Sequence, residues 1–204
     1  MNRKHLWIKL FILLMILAIA LAALYAINHK GMLPGAKPAM YIDPAEDRAL
    51  RNESFQQTYD FRMDDTLKSV VMEVWELKDG QWTDLGGGRI AASLREGQFS
   101  LAFNDLPKGI TYSVEGASYT YTVNKDFATG FASDADSRLY TTMLTQLKEI
   151  TYEAPIPVAM QIYTTNQSPE YIGVDFFHQP EKLASEGHDH VYAVTLAFSQ
   201  TLME

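Results

Sequence analysis

The chain has 204 residues, 47% of them hydrophobic, and no cysteine. That is enough apolar material for a core without disulfide or metal staples, and it excludes thiol nucleophiles, thiolate metal sites and a lipid-modified N-terminal cysteine. The formal net charge of −8 is unevenly divided: four of the 17 basic residues and no acid fall in the first thirty positions, leaving 13 basic against 25 acidic residues, a net of −12, beyond them. Such a field repels phosphate backbones, so nucleic acid is not an expected partner.

Leu10 to Ile27 form an unbroken run of 18 uncharged, almost wholly apolar residues, preceded by Arg3, Lys4 and Lys9 and followed by Lys30. As a helix the run would be about 27 Å long, close to the hydrocarbon thickness of a bilayer. Water rejects a helix that is apolar all round. The expected partner of residues 6–27 is therefore a membrane, crossed once by a retained signal anchor. The basic residues ahead of the span place the N-terminus in the cytoplasm and the rest outside. Trp7 and Tyr25 fall near the two ends, where aromatic rings favour the interface. The alternative is a signal peptide cleaved after Ala22, at Ala20-Leu21-Ala22, giving a secreted protein. Against it, apolar residues continue through Ile27.

Three segments are expected: 1–30, cytoplasmic tail and transmembrane helix; 31–54, juxtamembrane linker; 55–204, the extracytoplasmic domain. Gly31, Pro34, Gly35 and Pro38 discourage regular structure in the linker. Asp43-Pro44 has the form of an N-cap and first helical residue, predicting a short helix over 44–51.

From Phe55 onward the rhythm is short strands and turns. Val70, Met72 and Val74 alternate on one strand face, and Asp79-Gly80 is a strong two-residue hairpin turn. Closing it pairs Leu77 with Trp82, Trp75 with Asp84 and Val74 with Leu85. Gly86-Gly87-Gly88 is expected to break the second strand. A second hairpin is expected at Glu96-Gly97, pairing Leu94 with Phe99, Ala92 with Leu101 and Ile90 with Phe103. Strands follow at 110–115, 118–123, 138–147, 156–164, 171–177 and 191–199, with 124–137 a loop. Pro155 and Pro157 place the start of the 156–164 strand on an edge or at a strand beginning. Many short alternating strands and little helix predict an all-β fold, an antiparallel β-sandwich (immunoglobulin-like or jelly-roll-like), with a small barrel second.

Candidate sites are few. Trp75, Leu77 and Trp82 share the face opposite Val70, Met72 and Val74. They could stack on a sugar ring or dock another envelope protein, or could be buried packing in a two-layer fold. His188-Asp189-His190 with His178 could complete a zinc or copper site, although a ten-residue gap fixes no geometry. The acid pairs Asp64-Asp65 and Asp134/Asp136, and Asp175, carry no spacing that a glycosidase or an EF-hand requires. No G-x-S-x-G, G-x-G-x-x-G or phosphate-binding loop occurs, so no catalytic residue and no cofactor are expected. The general form (basic start, single span, short linker, cysteine-free β-domain) resembles envelope proteins of Gram-positive bacteria, an architectural likeness that transfers no residues. The expectation is a non-catalytic binding or accessory module of the cell envelope. The alternative is an extracytoplasmic hydrolase or metal-binding protein built on His178, His188 and His190.

Overall fold

A computed structural model of the chain describes residues 13–21, 23, 25, 39–45, 55–92, 94–114, 117–122, 138–166 and 172–202. It divides into two compact units, Met1–Ala39 and Met40–Glu204. In the first, residues 13–21 are helical (α1), and the large side chains from Leu13 to Leu17 are 51–63% exposed on every side of it. Among the described residues no helix is long and apolar enough to cross a membrane. The remainder of the 10–27 run lies outside them.

The second unit is mostly β. Its described strands are β1 (Tyr41–Pro44), β2 (Phe55–Arg62), β3 (Ser69–Lys78), β4 (Gln81–Ala91), β5 (Glu96–Phe103), β6 (Ile110–Val114), β7 (Ala117–Tyr121), β8 (Arg138–Met143), β9 (Lys148–Glu149), β10 (Ile156–Thr164) and β11 (His190–Ser199). They form two antiparallel sheets, one ordered β7-β6-β5-β2-β1-β9 and the other β4-β3-β11-β10-β8. Alternation explains the layering, because residues two apart on a strand share a face. Tyr59, Phe61, Phe99 and Leu101 of the first sheet and Met72, Val74, Leu196 and Phe198 of the second enter one core. Phe61 and Phe198 meet across it at 5.4 Å, and the Tyr59 hydroxyl donates to the Val158 carbonyl of the opposite sheet at 2.8 Å. Each fully buried large apolar side chain contributes about 1.5–3 kcal/mol.

Several expectations need correction. The unit that holds both sheets starts at Met40. Tyr41–Pro44 is a strand between β2 and β9, anchored by the fully buried Ile42, where a helix was expected to start. The proline is tolerated because Ala45 N–H bonds Thr58 O on the β2 side. Pro44 N, one residue back, therefore faces the other side, which β9 has ceased to cover. The rest of that predicted helix, and the loop over 124–137, lie outside the described residues.

The Glu96-Gly97 hairpin does not form. Its two arms belong to different sheets: β4 pairs with β3, while β5 pairs with β2 and β6, and Gly97 sits opposite Phe61 within a ladder. Ile90, Ala92, Phe99, Leu101 and Phe103 are buried as expected, but Leu94 is 43% exposed. Alternation reports which face of a strand is buried, and the chain crosses between sheets at 92–95 with that face unchanged.

Gly86–Gly88 lie within β4 instead of ending it. A bulge between Val74 and Trp75 shifts the register, so Val74 faces Gly86 and Leu85 is left over. Gly86 adopts φ +100°, and a Cβ there would collide with the Tyr121 hydroxyl, which donates to Leu85 O at 2.6 Å. The missing side chains let the first sheet's tyrosines reach the β4 backbone.

Finally, the strand expected over 171–177 is a 3₁₀-helix, Val174–His178, followed by a short helix α2, Pro180–Ser185, with proline at its start. Together they carry the connection from β10 to β11 over the outer face of the second sheet. The β10 start agrees better: Ile156 opens the strand, and a register shift follows Pro157. The strand nevertheless lies between β8 and β11 rather than at an edge.

Candidate functional site

The outer face of the second sheet carries the aromatic group picked out in the sequence. Asp79 and Gly80 both take positive φ (50° and 76°), the geometry a two-residue hairpin requires. Leu77 therefore faces Trp82 and Trp75 faces Asp84, as read from the sequence. The trio is half-buried and is not an open platform. Phe177 of the 3₁₀-helix lies between the two indoles. It stacks on Trp82 at 4.8 Å and 21°, and meets Trp75 edge-on at 6.1 Å. Trp82 Nε1–H donates to Phe177 O at 2.7 Å, and Trp75 Nε1–H donates to Thr195 Oγ1 at 2.9 Å. The two polar handles that an indole would offer a ligand are thus engaged within the chain.

The three histidines are held by different neighbours. His178 is exposed and lies edge-on to Phe177 at 5.5 Å. His188 has a side chain only 1% exposed, with Nε2 3.1 Å from Glu186 Oε2. Its Nδ1 has no hydrogen-bond partner among the described residues. His190 stacks on Tyr192 at 6.3 Å, its Nδ1 3.7 Å from Glu76 Oε1. Among the described residues no group of three or more His, Cys, Asp or Glu is placed to hold a metal ion.

His190 instead joins a polar cluster that sequence reading did not single out. Glu76 follows Val70, Met72 and Val74 at the next inward position of β3, so its carboxylate enters the core end of the sheet and is 5% exposed. Tyr192 Oη donates to its Oε1 at 3.0 Å, and Lys78 Nζ lies 2.7 Å from its Oε2. Beside it, Tyr163 Oη donates to Asp105 Oδ1 at 2.6 Å, and its ring meets Tyr192 edge-on at 6.1 Å. Burial drives both hydroxyls far above the ordinary tyrosine range. The Asp105 hydrogen bond reinforces the effect on Tyr163, and the Glu76 charge reinforces it on Tyr192. Gln161, fully buried on the same face, accepts Leu106 N–H through Oε1 at 2.7 Å and donates through Nε2 to Asn104 O at 3.0 Å. These bonds tie the turn after β5 to β10. The signal was present in the alternation, since a charged residue continuing an apolar i, i+2 series must point inward.

Chemically this cluster is a closed set of carboxylates and donors. A carboxylate acting on a substrate has to reach it, and Glu76 faces protein on nearly all sides. The cluster fixes how the two sheets meet. A groove of about 160 Å³ lies at the corner where β8 runs toward β9, lined by Thr142, Leu144, Lys148, Gly173 and Asp175 among others. Lys148 and Asp175 form an ion pair there at 2.7 Å.

No family model matches the chain, and neither the curated proteins nor the solved structures contain a match to it.

Proposed function

We propose that the chain is a membrane-tethered module of a bacterial cell envelope. Its N-terminus would be cytoplasmic and its β unit displayed outside as a non-catalytic binding or accessory domain. The observation that carries this reading is the 18-residue uncharged run Leu10–Ile27 behind Arg3, Lys4 and Lys9. The exposed apolar side chains around every side of residues 13–21 are what lipid would cover. The two facing sheets support a sandwich of the broad immunoglobulin-like or jelly-roll-like kind, a scaffold that commonly presents surfaces to partners. The closed Glu76 cluster and the internally bonded indoles favour binding over catalysis. A partner protein or carbohydrate would then meet the rims and edges of the sheets.

The chain's lack of cysteine supplies a direct test. Glu181→Cys, on the exposed side of α2, is expected to react with an impermeant maleimide on intact cells. Asn2→Cys is expected to react only after lysis. Labelling of neither before lysis, or of both, overturns the orientation.

A further inference from the structure

The two sheets present four terminal strands among the described residues, and a terminal strand left open is a template for another strand. Two of the four are blunted. β9 has two residues. β4 is bulged at Leu85 and carries three successive glycines. β7 has five residues, with Tyr119 43% exposed and Tyr121 bonded to Leu85 O. β8 is the longest of the four that carries neither glycine nor bulge. It is six residues long, pairs on one side with β10, and has no charge, proline or glycine after Arg138. Leu139 and Tyr140 are 43% and 37% exposed.

We propose that β8 is a homotypic interface, pairing antiparallel with β8 of a second copy of this chain about a two-fold axis at Thr141. The occupant follows from the strand's own complementarity. With the axis at Thr141, Leu139 meets Met143, Tyr140 meets Thr142 and Thr141 meets Thr141. An apolar pair, an aromatic–β-branched pair and a threonine pair are favoured cross-strand neighbours. Arg138 falls opposite Leu144, so no like charges oppose each other. This matters because the chain beyond residue 30 carries a net charge of −12. Residues 139–143 are an uncharged stretch on which two such acidic bodies can meet. The Thr142–Leu144 groove lies where the second copy's strand would begin. The result is a continuous ten-stranded sheet made from two copies of the five-stranded one.

The test uses the full-length chain in detergent. Light scattering is expected to give a protein mass twice the 23.0 kDa of one chain. Thr141→Cys is expected to form an intermolecular disulfide on mild oxidation, and Thr83→Cys, on the opposite edge strand, is not. Tyr140→Lys and Leu139→Lys alter opposite faces of β8. Each should weaken association about tenfold or more while the β-type circular dichroism is retained. A monomer overturns the proposal. So does a dimer that fails to cross-link at position 141 and survives both lysine substitutions, since it must associate elsewhere.

Discussion

Tyr192 shows how one hydroxyl can set a stability profile. It donates to a carboxylate that is 5% exposed, so Tyr192→Phe strands a buried charged acceptor. The expected cost is about 1–3 kcal/mol at neutral pH, read as a lower urea midpoint at unchanged slope. The same residue governs alkaline behaviour. An unfolded tyrosine ionises near 10.0, whereas burial keeps Tyr192 and Tyr163 protonated well above that in the folded chain. Their contribution is therefore complete below the unfolded value and declines as pH rises past it. The rate is about 1.4 kcal/mol per pH unit for each tyrosine until the folded group itself titrates. Tyr192→Phe should remove its share of that alkaline slope. A variant with the full slope would show that another group is responsible. Glu76 was legible at this scale in principle, since it continues the Val70-Met72-Val74 alternation. Its hydroxyl donor was not, because Tyr192 lies 116 positions along the chain.

At the scale of elements, local chemistry decided what could be read. Asp79-Gly80 specifies its own turn geometry, and the Leu77–Trp82 register followed from it. Glu96-Gly97 carries no such requirement, and β5 exchanged that partner for β2 and β6 while keeping the same residues inward. The 171–177 segment has Ile172, Val174 and Phe176 at strand spacing, yet the buried set is Ile172, Val174 and Phe177. The three-residue step from Val174 to Phe177 is the 3₁₀ repeat, selected because Phe177 fills the gap between two indoles. Proline at position 180 was a start signal for α2 that the strand reading passed over. Phe177→Ala should empty that gap and cost about 3 kcal/mol. Trp75 and Trp82 would then gain solvent, giving red-shifted tryptophan emission from a folded chain with β-type circular dichroism. Unchanged emission would mean that the connection does not cap the sheet in solution.

Over the whole molecule, composition was the more dependable guide. A chain of this apolar content was expected to build a hydrophobic core, and the β unit has one core shared by both sheets. Which strands neighbour one another was beyond the sequence. The order β4-β3-β11-β10-β8 turns on the β3–β11 pairing of segments over a hundred residues apart, and single-chain periodicity contains no record of it. Function sits at the same scale. Among the described residues no group of side chains is placed to hold a metal ion, and the proposed placement of the chain rests on one apolar run with its basic flank. The question is whether that run holds the protein in lipid. Membranes from cells expressing the untagged chain, washed with alkaline carbonate, decide it most directly. The full-length protein should stay with the bilayer pellet and be released only by detergent. Recovery of the uncleaved chain in the wash would contradict that placement.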